Sequence, residues 1–303
     1  MNAKKLNFSI IIPTYNRPEM LSSCLESLAI LEYPRDLFEV IVVDDGSSIS
    51  PESVIERFSE RIRILLLSKT NGGPAAARNF GIAAAKGKYF AFTDDDCMPD
   101  RFWLKELETT LEQDSSVMAG GRTINALTDN PCSAASQTIV DFAYAYYNSE
   151  PSIARFFASN NMAAPAELFR GLGGFNAAFR TSEDRDVCDR WLASGHRMVY
   201  QEKAVLYHAH NLSFRQFWKQ HFSYGQGALR FNRAHALRLP DESTIEAGFY
   251  TKLPGYLIKA LSRISAKKKP MFFLLMITWF VANTMGFVLE TLRYLAVHRG
   301  YVE

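Results

Sequence analysis

Residues 1–100 alternate between short apolar runs and helix-like stretches, and this alternation constrains the fold more than any other feature of the chain. Continuous apolar runs are typical of strands that are buried on both faces. The runs are FSIIIP (8–13), FEVIVVDD (38–45), IRILLL (62–67) and KYFAFT (88–93). Between them lie three stretches that begin with proline, which suits a first helical position: PEMLSSCLESLAIL (18–31), PESVIERFSE (51–60) and PAAARNFGIAAA (74–85). The pattern predicts an α/β fold with a parallel sheet and right-handed crossovers.

The alternation ends after residue 100. RFWLKELETTLEQ (101–113) predicts a helix, whereas residues 117–180 predict short strands mixed with loops. Ser182 is suited to cap a further helix that Gly195 ends. Residues 197–210 then predict a strand at the edge of the sheet.

The C-terminal part contains MFFLLMITWFVANTMGFVL (271–289), 19 residues without a charge, directly after SAKKKP (265–270). A membrane-spanning helix needs about 20 such residues, so the length is borderline. Cations on both sides leave the orientation ambiguous. We predict a domain over 1–230 and a helical extension over 231–303 that contacts a membrane through 271–289. Whether the segment crosses the membrane or packs on the protein itself stays open.

The overall composition excludes some classes of function. A net charge of +2 is too small for nucleic-acid binding by bulk electrostatics. The 4 cysteines form no C-x-x-C pair and predict free thiols in a reducing compartment. The apolar stretch near the N-terminus is too short for a signal peptide, so we expect a cytoplasmic location.

Polar or glycine-rich residues follow each predicted strand of the first hundred residues. Ligands of such sheets bind beyond the carboxyl ends of the strands. Those ends are PTYN (13–16), DDGS (44–47), SKTNGG (68–73) and DDDC (94–97). The sequence therefore predicts the functional site at this edge of the sheet.

Asp94, Asp95 and Asp96 repel one another unless something separates or neutralises them. Either they form an acidic turn that opens into water, or they hold a divalent cation. Mg²⁺ and Mn²⁺ prefer oxygen ligands and are usually bound by one or two carboxylates together with substrate phosphates. An EF-hand is excluded, because the sixth and twelfth positions counted from Asp94 are Pro99 and Lys105.

The second and third strand ends allow a nucleotide. Asp44 or Asp45 can accept hydrogen bonds from a ribose or a base, or can simply form an Asp-Gly turn. NGGPAAARN (71–79) offers a helix start and Arg78 to a pyrophosphate, or is a glycine turn beside a surface arginine. It matches neither the P-loop nor the dinucleotide-binding glycine spacing.

Two further groups can take part in catalysis. Glu183 and Asp184 stand at a helix start, where they either interact with the helix dipole or supply a general base. His208 and His210 lie on one face of a predicted strand. Each of them can be a structural histidine or a metal ligand.

The order of these motifs resembles that of the family 2 glycosyltransferases with the GT-A fold. The resemblance covers roughly residues 8–210 and rests on SIIIPTYNRP, VVDDGS, NGGPAAARN, FTDDDCMPD, LGGFNAAFRTSEDRDVCDR and YHAH. It implies a Rossmann-like mixed sheet flanked by helices. It also implies metal-dependent, inverting transfer of a sugar from a nucleotide-diphosphate sugar to an acceptor hydroxyl.

The resemblance also implies roles for individual residues. Asp94 and Asp96 match the D-x-D motif and would bind Mn²⁺ or Mg²⁺ with His208, for which His210 is the alternative. Asp184 matches the catalytic base. The nucleotide-sugar pocket would be lined by Pro13, Thr14, Tyr15, Asp45, Arg78, Asp94 and Asp95. Asn176 and Ala177 replace two acids that are commoner in the family.

The acceptor would be a sugar, a glycan or a lipid-linked molecule, in polysaccharide or glycolipid assembly at the inner face of the cell membrane. Two alternatives are a sugar nucleotidyltransferase and a catalytically inactive binding or scaffold protein. The first normally has an N-terminal glycine-rich loop, but SIIIPTYNRP (9–18) contains no glycine. The second is disfavoured because all the matched acids are present.

Overall fold

The computed structural model describes residues 5–240 and 247–299. These residues form two compact units. The first unit contains the residues up to Ala126 together with Tyr147–Ala209, and it carries the sheet. The second unit contains Leu127–Tyr146 and the described residues from His210 onward, and it is helical.

The sheet has eight strands in the order β3-β2-β1-β4-β7-β6-β8-β5. Their bounds are β1 (Phe8–Thr14), β2 (Phe38–Asp44), β3 (Ile64–Ser68), β4 (Tyr89–Phe92), β5 (Cys97–Pro99), β6 (Met118–Asn125), β7 (Met162–Pro165) and β8 (Met198–His208). The first four strands are parallel, β7 is antiparallel to both β4 and β6, and β5 is antiparallel to β8. The predicted parallel sheet is therefore confirmed for the four strands that the apolar runs form.

The helices follow the strands along the chain. Their bounds are α1 (Pro18–Ala29), α2 (Glu52–Phe58), α3 (Pro74–Ala84), α4 (Trp103–Gln113), α5 (Pro131–Tyr147), α6 (Ala166–Gly171), α7 (Glu183–Ala193), α8 (Phe214–Arg238), α9 (Ala247–Ser262) and α10 (Lys269–Arg299). The predicted domain boundary after residue 230 falls inside α8, and the division of the chain into domains stays a prediction.

Side chains alternate between the two faces of the sheet, so each face has its own helices. On one face α1, α2 and α4 bury Leu25, Phe58 and Trp103 against Phe8 and Ile10. Burial of such side chains stabilises the fold by about 1.5–3 kcal/mol each. Because β1 pairs in parallel with both β2 and β4, the polar ends of these strands meet at one edge.

On the opposite face α3 packs so closely that Gly81 is required. A Cβ atom at position 81 would lie 2.8 Å from Cγ2 of Ile11 and 3.1 Å from Cγ2 of Val43. The close approach brings the N-terminus of α3 to the carboxyl ends of β1 and β2, where the sequence predicts the site.

Three expectations about secondary structure were wrong in detail. Residues 131–147 form α5, although the sequence predicted strands and loops there. The segment mixes β-branched and aromatic residues that favour strands, and burial of Cys132 and Phe142 in the second unit overrides that preference. Ser182 precedes α7 with φ of 68°, but its side chain makes no capping hydrogen bond. The strand predicted at the edge, β8, lies one place inside it, because β5 pairs along its end.

Asn161 is a buried connection within the first unit. Its Oδ1 accepts a hydrogen bond from Trp103 Nε1 at 2.8 Å, and its Nδ2 donates to the carbonyls of Arg122 at 3.1 Å and Ala204 at 3.0 Å. Asn161→Ala leaves these groups unpaired, and an unpaired buried group costs about 1–3 kcal/mol. We expect the free energy of unfolding, measured by urea denaturation, to fall by about 3 kcal/mol. The exposed Asn176→Ala is the control, and a loss near the control's would contradict this role.

The second unit has an apolar core of its own, formed by side chains from α5, α8, α9 and α10. Helices α8 and α10 cross at two glycines. A Cβ atom on Gly225 would meet the carbonyl oxygen of Asn283, and one on Gly286 would meet that of Phe222. Backbones approach this closely only where side chains are absent, so the two glycines fix the crossing point.

Of the described helices, one is long and apolar enough to cross a membrane by length and composition. It is the segment Ala266–Ala296, with a mean hydropathy of 1.9, and 39% of its most apolar window is buried. Core helices of soluble proteins meet the same criterion.

Candidate active site

The acidic triplet lies directly after β4, and a basic side chain from the end of β1 covers it. Arg17 Nη1 lies 3.2 Å from Asp95 Oδ1 and 3.1 Å from Asp96 Oδ2. Thr14 Oγ1 donates to Asp95 Oδ2 at 2.8 Å. The Arg17 side chain is 49% exposed whereas the carboxylates of Asp95 and Asp96 are 5% and 6% exposed, so the guanidinium stands between them and solvent.

Burial changes the acidity of Asp95. It raises the pKa of Asp95 to about 7, with Asp96 and Asp94 adding to the rise and the Arg17 charge opposing it. The repulsion that the sequence predicts is therefore real, and in this structure a guanidinium relieves part of it.

His208 meets Asp96 across the β5–β8 pair, where Cys97 and His208 are partners. His208 Nε2 lies 3.2 Å from Asp96 Oδ1. Burial lowers the pKa of His208, but its hydrogen bond to Asp96 and the surrounding negative charge raise it, and the net pKa lies above the ordinary value. Of the two histidines that the sequence left open, His208 contacts the triplet through Asp96.

These residues are suited to hold a divalent cation. Ligand atoms of Asp96, Cys97 and His208 lie within 4.8 Å of one another, a group that does not include Asp94. Burial and the nearby acids raise the pKa of the Cys97 thiol well above its usual range, so it stays a neutral and weak donor. A carboxylate and an imidazole remain as ligands, and the other positions would fall to water or substrate oxygens.

Asp94 instead forms an ion pair with the buried Arg78 of α3, although the Asp94 side chain itself is 30% exposed. Arg78 Nη2 lies 2.5 Å from Asp94 Oδ1, and Arg78 Nη1 lies 3.1 Å from Glu183 Oε1. Arg78 is 2% exposed, and its guanidinium also lies 5.4 Å from the ring centroid of Phe175. The arginine therefore links the acidic triplet to the start of α7, across 105 residues of sequence between Arg78 and Glu183.

Asp184 and Glu183 have different partners, as expected for neighbours at a helix start. Asp184 Oδ1 accepts a hydrogen bond from the backbone N–H of Arg185 at 2.8 Å, whereas Glu183 pairs with Arg78. Burial, the largest cause, raises the pKa of Asp184 above its ordinary value. A raised pKa makes this carboxylate a better proton acceptor near neutral pH.

Asp45 binds the glycine-rich loop before α3. Its Oδ1 accepts from Lys69 Nζ at 2.7 Å and from the Gly72 N–H at 2.9 Å, and its Oδ2 accepts from the Gly73 N–H at 2.7 Å. Gly73 has φ of +87°, a left-handed conformation that glycine adopts readily. The amides of Gly72 and Gly73, at the helix start for which the sequence allowed a pyrophosphate or a simple glycine turn, are therefore bonded to Asp45 in this structure.

A cleft of about 580 Å³ opens beside this loop, at the ends of β2 and β3. It is lined by Asp44, Gly46, Ser47, Ser68, Lys69, Thr70 and Asn71. Of the other residues predicted for the nucleotide pocket, Thr14 is buried, Pro13 is half-buried and Tyr15 is 49% exposed. An exposed aromatic ring at a strand end is available to a planar ligand.

Three polar residues of this region were not singled out by the sequence analysis. They are Arg17, Lys69 and Asn160. The sequence contained a signal for Arg17 and Lys69, because both residues lie within or next to the polar strand ends at which the site was predicted. Nothing in SNNMAAP (159–165) distinguishes Asn160 from its neighbour, because their difference lies in their hydrogen bonds.

Comparisons of sequence and fold agree with one another. The family model described as Glycosyl transferase family 2 matches residues 9–182. The chain is 26% identical over 266 residues to glycosyltransferase AglE of Haloferax volcanii, covering 84% of this chain and 85% of that protein. Several further curated relatives are longer, and the chain spans half of their length or less.

Two solved structures share the fold at 19% sequence identity. The mannosyltransferase PcManGT from Pyrobaculum calidifontis, in complex with GDP-Man and Mn²⁺, has a TM-score of 0.66 over 95% of this chain and 87% of that one. Residues 1–349 of S. aureus TarS, in complex with UDP-GlcNAc, have a TM-score of 0.61 over 91% and 81%. The mixed sheet with flanking helices implied by the resemblance is thereby confirmed.

Proposed function

The chain belongs to glycosyl transferase family 2 and is a glycosyltransferase. We propose that it moves a sugar from a nucleoside-diphosphate sugar to an acceptor hydroxyl. The transfer would invert the configuration of the sugar and would use a divalent cation. The observation that carries the proposal is the pair formed by the buried Asp96 and the half-buried His208, 3.2 Å apart, beside the polar strand ends. Two relatives of the same fold were solved with GDP-Man and with UDP-GlcNAc, which supports this class of donor.

The cation would be held by Asp96 and His208. Imidazole is a common ligand of transition metals, whereas Mg²⁺ prefers an all-oxygen shell, so this donor set favours Mn²⁺ over Mg²⁺. When bound, such an ion supplies Lewis acidity toward the diphosphate leaving group. Arg17 contacts Asp96 in this structure and would have to give up that contact when the cation is held there.

Asp184 is proposed as the general base. Its carboxylate would take the proton of the acceptor hydroxyl while that oxygen forms its bond to the anomeric carbon. The bond from that carbon to the diphosphate breaks on the opposite face. One base and no enzyme nucleophile give inversion of configuration. Arg78 would keep Asp94 and Glu183 neutralised, so that neither competes with Asp184 for the proton.

The nucleoside would occupy the cleft at the ends of β2 and β3. Lys69 and Asn71 line it and offer N–H donors, and Tyr15 lies exposed at the end of β1. Pro13, Thr14, Asp45, Arg78, Asp94 and Asp95 are proposed to shape the same pocket, several of them by holding its loops through the bonds described above.

Calorimetric titration tests the proposed function. A panel of UDP-, GDP-, CDP- and dTDP-sugars, with the matching diphosphates, is titrated into the protein with Mn²⁺ or with EDTA. We expect one nucleotide to bind in Mn²⁺ at least ~10-fold more tightly than in EDTA, since part of its diphosphate charge is neutralised by the cation. Absence of binding by every nucleotide in both conditions would contradict the proposal.

We further propose that α10 rests on an anionic membrane surface, at the cytoplasmic face. One side of α10 packs in the core of the second unit through Phe272, Leu275 and Trp279. The other side exposes large apolar side chains: Met271, Phe273, Leu274, Ile277, Phe280, Val281, Met285, Val288, Leu289, Leu292 and Leu295. The exposed Lys267, Lys268 and Lys269 precede this face and complement anionic headgroups. Such a location would suit a lipid-linked acceptor.

Sedimentation with lipid vesicles tests this contact. We expect the protein to bind vesicles of phosphatidylglycerol and phosphatidylcholine, and Phe273→Ser/Ile277→Ser/Phe280→Ser to reduce the bound fraction at least ~5-fold. The substitutions lie on exposed positions and leave the core side of α10 intact. Equal binding by both proteins, or no binding by the unmodified chain, would contradict the proposal.

A further inference from the structure

The segment Phe157–Asn161 runs between the proposed base and the acidic triplet. At one end, the backbone of Phe157 contacts Cys188 Sγ, with Phe157 N at 3.4 Å and Phe157 O at 3.5 Å. Cys188 lies on α7, one helical turn after Asp184. The segment therefore borders the helix that carries the base.

At the other end the segment borders the proposed cation site. Asn160 Nδ2 lies 3.7 Å from Cys97 Sγ, and Cys97 Sγ lies 3.8 Å from Asp96 Oδ1. In the proposed reaction the anomeric carbon must lie between the diphosphate, which is near Asp96, and the acceptor oxygen, which is near Asp184. The transferred sugar is thus placed beside the segment that connects these two residues.

The side-chain amide of Asn160 is incompletely paired. Asn160 is 6% exposed, and among residues 5–240 and 247–299 its Oδ1 has no hydrogen-bond partner. Buried polar atoms are nearly always paired, and an unpaired one costs about 1–3 kcal/mol. The neighbouring Asn161 is, by contrast, bonded at both amide atoms. Asn161 therefore stabilises the fold, whereas Asn160 has an amide atom that is available to a ligand.

We propose that Asn160 binds a hydroxyl group of the transferred sugar and so contributes to the choice of donor; this rests on the proposed function. A sugar hydroxyl both donates and accepts hydrogen bonds, so it satisfies the free atom of the amide in either orientation of the group. A buried group that pairs only with the correct ligand discriminates against analogues that lack the hydroxyl. Asn160 is thus a specificity-determining residue at the sugar end of the site.

The test separates the sugar from the nucleotide. The dissociation constants of the nucleotide sugar that binds most tightly and of its nucleoside diphosphate are measured in Mn²⁺ for the unmodified protein and Asn160→Ala. We expect the variant to bind the nucleotide sugar ~10–100-fold more weakly than the unmodified protein does. Its affinity for the diphosphate should change less than about 2-fold. Equal affinities in both proteins would overturn the inference, and so would an equal weakening of both ligands. Failure of the unmodified protein to bind the diphosphate would instead count against the proposed function.

Deoxy analogues of the donor sugar provide a second measurement, and its first part uses the unmodified protein alone. We expect one deoxy analogue to bind the unmodified protein ~10–100-fold more weakly than the parent donor. The same analogue should lose little further affinity in Asn160→Ala, because the two changes remove the same hydrogen bond. Asn148→Ala is the matched control, since Asn148 is a buried asparagine bonded at both amide atoms to Arg155 and Phe156. Additive losses for every deoxy analogue would overturn the inference.

Discussion

Asp184→Asn is expected to lower kcat by about 10²–10⁴-fold, the range that a general base contributes. The amide is isosteric with the carboxylate but cannot accept the proton of an attacking hydroxyl. Release of the nucleoside diphosphate is measured with the donor found by titration, with water as the acceptor where no better one is known. The dissociation constant of the donor should change little, because the substitution removes a step of the reaction and leaves the nucleotide contacts in place.

The control is Asp189→Asn on the same helix, one further turn from the start, which should retain kcat within about 2-fold. The pH dependence is a second check. The raised pKa of Asp184 means that the carboxyl is protonated at acidic pH and that the rate rises as pH increases through that pKa. Full activity of Asp184→Asn would show that another group takes the proton.

Arg78→Leu is expected to lower the free energy of unfolding by about 3–5 kcal/mol, as measured by chemical denaturation. The substitution leaves the carboxylates of Asp94 and Glu183 without the guanidinium that lies 2.5 and 3.1 Å from them. Burial already raises the pKa of Glu183 with the guanidinium present, so loss of that charge drives the group further toward its protonated form. The loss of stability should therefore shrink as pH falls.

Arg61→Leu is the matched control, because Arg61 pairs with Glu26 on the surface, where the two side chains are 39% and 55% exposed. Exposed pairs contribute about 0–1 kcal/mol. Adding Glu183→Gln to Arg78→Leu should restore part of the lost stability, since it removes one of the two carboxylate charges that have lost their guanidinium partner. A loss for Arg78→Leu no larger than that of the control would contradict the structural role given to this arginine.

The sequence predicted the sheet well where burial dominates and less well where it does not. The strands over 8–14, 38–44 and 89–92 are almost wholly buried, so their apolar runs identified them. Helix α5 was not predicted, because its side chains favour strands. The helix is stabilised by the packing of those side chains in the second unit, which the sequence does not show. For residues 117–210 the sequence predicted short strands and an edge strand but not their directions, and the resemblance to a family supplied the mixed sheet.

The location of the site was predictable, but the partners within it were not. Parallel strands end at one edge, so the polar strand ends had to meet there. The pairing of basic with acidic side chains depends on segments that are distant in sequence. Arg17 contacts Asp96 across 79 residues, and Arg78 contacts Glu183 across 105. For the same reason the sequence could not separate Asn160 from Asn161.

The most direct test of the account is the position of the cation in a crystal of the protein grown with MnCl₂ and the nucleoside diphosphate that binds most tightly. An anomalous difference map at the manganese edge locates the ion without reference to any assumed chemistry. We expect a peak in contact with the carboxylate of Asp96 and the imidazole of His208, with diphosphate oxygens on the same ion and the nucleoside in the cleft beside Lys69. A peak away from Asp96, or a nucleotide bound elsewhere on the chain, would contradict it.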